Sequence, residues 1–517
     1  MMEIRVYIVV TLMSAILAGV LLTLALDVRL PYVSDGAVFV DVARNLIAGN
    51  GLVHTPFGLE PFDKETVPLG WFAPGYPLAI ASLSMLGISP EAAALGISVV
   101  AWILLAPALV FCLRPLLTSS QSATIALLVC SSPGMFSLGS RIYADSLFFL
   151  LTVISLGVLF RAVQNRFSAD LLLLSGLLAS LAYAVRFSGI ALLLVIPVAL
   201  IAAPMLRIMR TRQAMGALAL WAIAALPLYL TTVALAPDKP HEWVIKGPGL
   251  IDSIRSFLWN LLLDMTGSET VAYSAWDYRV VLFGMVPLAI FVALGLFKTW
   301  LHHLSPSNRF ALLTLLLYLS AGAAMVILAI YAWGVLGKLR YVTNQSWIVF
   351  TLMVLAASSI APRAAKYKIL TSLAAGTLII LLIAGRMSFF KEVFSEADVP
   401  RMGLRSDTEL LHDVRRLPEH AFIVSTLGSF LTYETGRSVR NLPRENLETM
   451  HLALSRAADN VPEEMPLYAV ILPTTKMIRN TPETWKEVFL DQLPSRYFLE
   501  KRTENMLLLR RTSSAAQ

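Results

Sequence analysis

The sequence predicts a polytopic α-helical membrane protein that ends in a soluble α/β domain. Of its 517 residues, 57% are hydrophobic and only 15% are charged, and the mean hydropathy is +0.70. A soluble chain would carry about a quarter charged residues. Apolar runs of about 17–24 residues recur from Val6 to Gly385, and each is long enough to cross a hydrocarbon core of about 30 Å.

The apolar runs predict about eleven spans. They lie near residues 6–26, 91–113, 121–137, 145–160, 170–185, 188–206, 214–235, 280–299, 310–332, 342–360 and 369–386. The first run is too long for the core of a signal peptide, so we expect a retained span. Cys112 and Cys130 fall in apolar spans, which predicts buried thiols.

The charges of the loops predict the orientation of the spans. Loops on one side contain almost no acid and carry Arg5, Arg114, Arg161, Arg166, the "RIMRTR" cluster and the basic residues of "KTWLHHLSPSNR" and "PRAAKYK". The positive-inside rule makes this side, with the N-terminus, cytoplasmic. The assignment requires that the short apolar segment 75–88 is re-entrant or interfacial. The alternative is that it crosses and that another predicted span does not.

The composition changes after Arg386. Residues 388–517 are rich in charge, and period-two runs such as "AFIVST" and "LYAVIL" alternate with helix-like stretches. This pattern predicts a small soluble α/β domain on the extracytoplasmic side. The chain is therefore divided into a membrane domain, 1–387, and the soluble domain. The first extracytoplasmic loop, 27–90, is expected to carry interfacial helices.

The loop after the first span contains two acids in "SDGAVFVDVARNLIAGNG". Asp35 follows Ser34 and opens a helix predicted to end near Gly49. Asp35 either caps that helix or is a partly desolvated carboxylate that acts as a general base. Asp41 is expected to pair with Arg44, three residues further on, and to be structural.

The same loop continues with His54, several carboxylates and the "WFAPGYP" segment. A histidine beside carboxylates can bind a divalent metal, but the spacing fits no tight ligand pattern, which favours solvated charges. Tyr76 suits an interfacial aromatic belt. His54 and Tyr76 are retained as loop residues that contact the site.

Further charges lie at the outer ends of predicted spans. Asp145 follows Arg141 by four residues, and the two form either an interfacial ion pair or part of a functional site. Arg186, Lys338 and Arg340 either reach towards lipid headgroups or bind a phosphate. Acids at the outer ends of the spans and basic residues near the membrane plane suit sugar transfer from a polyprenyl phosphate. An acid would deprotonate the acceptor, and the bases would offset charge on the leaving phosphate.

The order of these motifs resembles the GT-C integral-membrane glycosyltransferases, near the protein O-mannosyltransferases and the lipid A aminoarabinose transferase. The matching segments are the Asp35 helix, "PGYP", "SRIYADSLFFLL", "AYAVRFSGIALLL", "KLRYVTNQSWIVF" and the late "SFLTYETGRSVRNLP". The resemblance implies Asp35 as catalytic base, Asp145 as a second acid, and Arg186 and Arg340 as donor-phosphate ligands. "WFAPGYP" lacks the lysine of the lipid A enzyme, so Lys64 is a substitute candidate. No metal set is evident, and dependence on a divalent metal stays open.

The leading hypothesis is an inverting hexosyl- or pentosyltransferase of the bacterial plasma membrane. Its donor would be a polyprenyl-phosphate sugar and its acceptor a lipid, glycan or protein, with no nucleic acid involved. One alternative is a flippase for lipid-linked saccharides, although the spans are apolar at mid-depth and the polar groups gather on one side. The other is a non-catalytic protein of envelope assembly.

Overall fold

The structure is a computed structural model of the whole chain. It describes residues 2–28, 34–55, 66–70, 72–235, 249–266, 293, 304–333, 339–360, 382, 385–386, 408–418, 420–427, 431, 435, 439–442, 447–472, 487, 489–490, 493–502 and 506–512. The chain forms two compact units. The first unit contains residues 1–27, 70–76 and 95–396, and the second contains 28–69, 77–94 and 397–517.

The described elements are mostly long helices. The helices are α1 (Met2–Val28), α2 (Ser34–Ile47), α3 (Gly75–Ser84), α4 (Pro90–Leu113), α5 (Ser119–Cys130), α6 (Pro133–Gly139), α7 (Ala144–Gln164), α8 (Ala169–Val185), a 3₁₀ turn (Phe187–Gly189), α9 (Ile190–Met205), α10 (Thr211–Leu235), α11 (Leu250–Thr266), α12 (Pro306–Trp333), α13 (Leu339–Ile360), α14 (Thr408–Arg416) and α15 (Leu447–Asn460). The strands are β1 (Val53–His54), β2 (Val67–Pro68), β3 (Phe422–Ser425), β4 (Val439–Asn441), β5 (Leu467–Ile471), β6 (Tyr497–Arg502) and β7 (Leu507–Arg511).

Six of the described helices are long and apolar enough to cross a membrane. They are α1, α4, α7, α9 with its preceding 3₁₀ turn, α10 and α12, and each coincides with a predicted span. The helix α8 and most of α13 are shorter apolar helices at two further predicted positions. The predicted spans 280–299 and 369–386 lie almost entirely outside the described residues. Both cysteines are buried free thiols, as predicted.

The span predicted over 121–137 is broken into α5 and α6, which meet at an angle of 64°. Pro133 is the first residue of α6, where its missing N–H and fixed φ suit a new helix and its ring prevents continuation of α5. Ser132 caps α6 by accepting a hydrogen bond from the backbone N–H of Met135 (3.1 Å). The sequence "SSP" therefore reorients the chain before α7.

Small polar residues hold α7, α8 and α10 together. Ser155 Oγ donates to the carbonyl of Ser175, and Ser175 Oγ donates back to the carbonyl of Ser155, both over 3.0 Å. Ser180 Oγ in α8 donates to the carbonyl of Ala225 in α10 (2.6 Å). Small residues allow such close helix contact, and interhelical hydrogen bonds are favourable where water is scarce. As a result, the start of α7 and the end of α8 lie at the same end of the bundle.

The amphipathic helix α11 packs against α12 and α13. Phe257 of α11 is buried with Ile330 and Val342 in one apolar cluster. The C-terminal turn of α11 brings a buried acid, Asp264, into the first unit. This helix lies between the predicted spans 214–235 and 280–299, in a segment for which no helix was predicted.

In the second unit, α2 forms where the sequence predicts it, but its charges pair differently. Arg44 forms a salt bridge with Glu91 at the start of α4. Asp41 Oδ2 accepts the backbone N–H of Thr55 over 2.6 Å. The predicted Asp41–Arg44 pair is therefore wrong, because the neighbouring loop supplies Asp41 with a donor and Arg44 has a partner on another helix.

Among its described residues, the C-terminal part of the second unit forms a five-stranded mixed sheet of order β4-β3-β5-β7-β6. The strand β3 is parallel to β4 and β5, whereas β7 pairs antiparallel with β5 and β6. The helix α15 lies between β3 and β5 in the chain and buries Met450, Leu454 and Ala457 against the strands. The runs "AFIVST" and "LYAVIL" form β3 and β5.

Candidate functional site

The first unit brings together an acid and a base from consecutive helices. Asp145, in the first turn of α7, forms a salt bridge with Arg186 at the C-terminal end of α8. The side chains of Asp145 and Arg186 are 7% and 23% exposed. Asp145 also lies where the positive end of the helix dipole favours a negative charge. Since α7 and α8 are antiparallel neighbours, the first turn of one helix meets the last turn of the other.

Arg186 occupies the break between α8 and the 3₁₀ turn. Its backbone is extended (φ −152°, ψ 126°), so the helix ends there. Its N–H still donates to the carbonyl of Ala182, and its own carbonyl accepts the N–H of Gly189 over 2.8 Å. The sequence analysis placed Arg186 at the end of a predicted span, and the structure pairs it there with Asp145.

The start of α7 is anchored by a buried hydrogen-bond network. Ser98 Oγ of α4 donates to the carbonyl of Tyr143 (3.2 Å), which immediately precedes α7. The hydroxyl of Tyr76 lies 3.0 Å from Ser98 Oγ and donates to it, because the serine proton is already used. Burial raises the pKa of Tyr76, which keeps the phenol protonated. Tyr76 is fully buried, so its predicted place in an interfacial aromatic belt is wrong.

The "PGYP" segment also contacts the end of α8. A Cβ at Gly75 would lie 2.6 Å from the carbonyl oxygen of Ala184, closer than real Cβ atoms come. Only glycine therefore allows this approach beside Arg186. The order of motifs in the sequence thus reflects a real packing arrangement: "PGYP" supports both the Asp145 and the Arg186 ends of the helix pair.

Asp145 and Arg186 line a pocket in the first unit of about 500 Å³, its open mouth included. Its other lining residues come from α6, α7, the 3₁₀ turn, α9, α12 and α13, namely Leu138, Phe148, Phe149, Ser188, Ala191, Tyr318, Gly322, Met325, Val326, Asn344 and Gln345. The pocket therefore combines an ion pair, apolar walls and a set of neutral polar groups.

The neutral polar groups were missed by the sequence analysis. Asn344 Nδ2 donates to the hydroxyl of Tyr318 over 2.6 Å, which links α13 to α12. Thr343, Asn344, Gln345 and Ser346 are consecutive and all buried. A run of four polar residues inside an apolar helix is costly to bury, and that run in "RYVTNQSW" was the available signal.

Comparison with known proteins identifies the fold. No family model and no curated protein sequence matches the chain. ArnT from Cupriavidus metallidurans bound to undecaprenyl phosphate is similar over 97% of this chain and 98% of that chain, with 11% identity and a TM-score of 0.55. The archaeal oligosaccharyltransferase AglB from Archaeoglobus fulgidus is also similar, in its complex with an inhibitory peptide and a dolichol-phosphate. The similarity covers 99% of this chain and 74% of that chain, with 13% identity and a TM-score of 0.53. Both are GT-C membrane glycosyltransferases. The chain has the GT-C fold.

The GT-C fold confirms the resemblance inferred from the order of the motifs. The apo form of the same bacterial ArnT gives a TM-score of 0.57 at 11% identity, again over nearly the whole chain. At such low identity the likeness establishes the fold alone. The roles of individual residues in this GT-C fold must be argued from their own surroundings.

The other predicted site residues are not among those that line this pocket. Asp35 is half-buried in the first turn of α2, in the second unit. His54 also belongs to the second unit and is fully buried in β1, where Nδ1–H donates to the Thr55 carbonyl (2.8 Å). The expectation of a solvated histidine is therefore wrong, because β1 pairs with β2 over it. Arg141 lies between α6 and α7, outside the set of residues that line the pocket.

Three predicted basic residues cannot be placed in the site. Lys64 and Lys338 lie outside the described residues, and Arg340 is described only as part of the helix α13. Among the described residues, no three His, Cys, Asp or Glu side chains come together as metal ligands.

A second buried polar cluster surrounds the break between α5 and α6. Asp264 Oδ1 accepts the backbone N–H of Gly134 over 2.7 Å, at the start of α6. Arg386 donates to Ser131 Oγ (2.6 Å), to the carbonyl of Leu128 and to the carbonyl of Met265 (3.1 Å). Asp264 thus lies at the N-terminal, positive end of α6. Arg386 donates to groups at the C-terminal ends of α5 and α11, where backbone carbonyls lack partners within the helix. Burial raises the pKa of Asp264, opposed by hydrogen bonds and by Arg386.

Proposed function

We propose that the chain is an inverting glycosyltransferase that moves a hexosyl or pentosyl group from a polyprenyl-phosphate donor to an envelope acceptor. The observation that carries the proposal is the Asp145–Arg186 pair, which lines a pocket at one end of apolar helices in a GT-C fold. Two proteins with this fold form complexes with lipid phosphates. ArnT is bound to undecaprenyl phosphate, and AglB is in complex with a dolichol-phosphate.

Arg186 is the residue to which we assign the donor phosphate. A guanidinium carries five N–H donors in a planar fork, so it can hold a carboxylate and a phosphate oxygen at the same time. In this role Asp145 orients Arg186 and keeps its charge from being left alone in an apolar pocket. Arg340, Lys338 and Arg141 are further candidates for the same phosphate. Lys64 and His54 stay candidates for loop contacts.

Asp35 is the proposed general base. As the bond between the anomeric carbon and the phosphate oxygen breaks, its electron pair passes to the phosphate, where Arg186 offsets the charge. The acceptor hydroxyl or amine forms the new bond from the opposite face, and its proton goes to the Asp35 carboxylate. Attack opposite the leaving group inverts the anomeric centre. No step is assigned to a metal ion.

The proposed setting is the outer face of a bacterial plasma membrane. Eleven spans, with the N-terminus in the cytoplasm, would put α2, the starts of α7 and α13, and residues 388–517 on the extracytoplasmic side. In that arrangement the lipid donor enters from the bilayer, while a lipid, glycan or protein acceptor approaches from water.

The test is sugar transfer by the full-length Asp35→Asn variant in proteoliposomes. Labelled undecaprenyl-phosphate sugars serve as donors, and a total membrane-lipid and glycan extract serves as acceptor. Removal of the base should lower the transfer rate by about 10²–10⁴-fold, while insertion and thermal stability stay unchanged. Asp170→Asn is the matched control, because Asp170 is an exposed acid in the first turn of α8.

Two outcomes would overturn the proposal. Transfer by Asp35→Asn at the wild-type rate removes Asp35 as the base. Movement of the labelled lipid across the membrane by the wild type, with no covalent product, would instead indicate a flippase.

A further inference from the structure

Two polar side chains of the pocket have buried atoms without hydrogen-bond partners among the described residues. They are Oδ1 of Asn344, a residue that is 8% exposed, and Oγ of Ser188 in the 3₁₀ turn. Both residues line the pocket. A buried polar group without a partner costs about 1–3 kcal/mol, so a ligand group that hydrogen-bonds to these atoms would gain affinity.

The position of Asn344 is fixed by its neighbour. Its Nδ2 donates to the hydroxyl of Tyr318 over 2.6 Å, and both residues are buried. This bond orients the amide and leaves Oδ1 as an acceptor. The Asn344–Tyr318 pair therefore offers a preorganised acceptor that needs a donor from the ligand.

The chemistry of these atoms discriminates between the parts of a polyprenyl-phosphate sugar. An isoprenoid chain would leave Asn344 Oδ1 and Ser188 Oγ without partners. A phosphate carries acceptors only, so it suits the guanidinium of Arg186 and can accept from the Ser188 hydroxyl, but it cannot satisfy Oδ1 of Asn344. A hydroxyl group both donates and accepts, so it can satisfy Oδ1 of Asn344 and Oγ of Ser188. Neutral, hydroxyl-rich chemistry fits best.

We propose that Asn344 and Ser188, with Tyr318 behind Asn344, form a subsite for hydroxyl groups of the donor's sugar ring. This proposal rests on the proposed function. The subsite shares its pocket with Arg186, so one donor can place its phosphate on the arginine and its sugar on the neutral groups. The aromatic rings of Phe148 and Phe149, which also line the pocket, provide apolar surface for the C–H faces of the ring.

The test compares two kinds of lipid on the full-length protein in nanodiscs. The probes are bare undecaprenyl phosphate and undecaprenyl phosphate that carries glucose, galactose, mannose or arabinose. Wild type should bind at least one sugar-loaded lipid more tightly than the bare lipid. Asn344→Leu and Ser188→Ala should each weaken that sugar-loaded complex by about tenfold, and change binding of the bare lipid less than about twofold.

The chain offers matched controls for both variants. Asn260 is buried in α11, its Oδ1 also has no partner among the described residues, and it is not among the residues that line the pocket. Ser122 in α5 is the corresponding serine. Asn260→Leu and Ser122→Ala should leave the preference for the sugar-loaded lipid unchanged.

The outcomes separate this inference from the proposed function. If Asn344→Leu and Ser188→Ala both keep the wild-type preference, the subsite does not exist, even when the wild type transfers sugar. Equal binding of bare and loaded lipids by the wild type also overturns it. Conversely, a preference that depends on Asn344 supports the subsite even if Asp35→Asn stays active, a result that would overturn only the assigned base. Ser188→Ala removes a single hydroxyl, so its preference for the sugar-loaded lipid tests the subsite if Asn344→Leu does not fold.

Discussion

Asp145 and Arg186 form a salt bridge that closes one end of the α7–α8 helix pair. Each side chain lies mostly in the protein, and each is the partner that makes the other tolerable in apolar surroundings. The pair also lines the pocket. The stability of the helix pair and the proposed donor binding therefore involve the same two residues, and substitutions can separate the two roles.

Single and double substitutions should separate those two roles. Arg186→Gln or Asp145→Asn alone removes the opposite charge beside a mostly buried residue, which costs about 3 kcal/mol for such a pair. The double variant removes both charges, so it should recover much of the lost stability. It should still bind undecaprenyl phosphate poorly, because the guanidinium is absent. Thermal unfolding in detergent and lipid binding measure the two effects. A double variant as unstable as the sum of the singles would contradict this account.

Gly134 should not tolerate a side chain. A Cβ there would lie 1.9 Å from Thr343 Oγ1 and 2.4 Å from Asp264 Oδ1. Gly134→Ala must displace the side chains of Thr343 and Asp264, and such overpacking costs about 1–3 kcal/mol. Gly96→Ala is the control, since nothing lies within 4 Å of its Cβ, and it should be neutral or stabilising by up to about 1 kcal/mol. Thermal unfolding distinguishes the two, and equal effects would be evidence against tight packing at Gly134.

The membrane helices could be predicted because hydropathy depends on local sequence alone. Helices such as α4, α7 and α10 follow directly from apolar runs of sufficient length. The bend between α5 and α6 was also encoded, in "SSP", but it lay within a run that is apolar enough to pass for one span. Local pattern therefore predicts where helices exist better than where they break.

The site could be predicted only in part, because it depends on which helix ends become neighbours. Asp145 and Arg186 were both identified as charges at span ends, but their pairing required the antiparallel packing of α7 and α8. Asn344 was overlooked because only the charged residues at the start of "KLRYVTNQSWIVF" were considered, and not the polar run that follows them. Asp264 lies in a segment interpreted as a loop, so its burial could not be foreseen.

The planar guanidinium of Arg386 should be required to support the bend between α5 and α6, and a lysine should not replace it. Its guanidinium bridges Ser131 at the end of α5 and the carbonyl of Met265 at the end of α11. Arg386→Lys keeps the charge but cannot make all these bonds, and each lost bond to a buried acceptor costs about 1–3 kcal/mol. We expect faster hydrogen exchange in α6, with little change in α8. Arg212→Lys, at an exposed arginine, is the control and should change neither helix. Unaltered exchange in α6 would show that Arg386 does not support the bend.

His451 should make the C-terminal sheet region sensitive to acid. Its ring lies 4.8 Å from the ring of Phe489, and its buried Nε2 has no hydrogen-bond partner among the described residues. Burial lowers the pKa of His451, and a hydrogen bond that the ring donates to the Phe489 backbone opposes this only in part. As the pH falls through about 6.5, the unfolded chain therefore takes up this proton before the folded chain does. The free energy of unfolding should therefore decrease as the pH falls below about 6.5, until the folded histidine also protonates.

Hydrogen exchange of α15 and β5, corrected for intrinsic rates, measures this effect at pH 7.5 and 5.5. His451→Gln removes the titrating group, so the wild type should lose more protection at pH 5.5 than the variant does. The difference isolates His451 from the surface ion pairs of the same region, such as Arg496–Asp459, which are present in both proteins. An equal loss in the two proteins would assign the acid sensitivity to those pairs and not to the buried histidine.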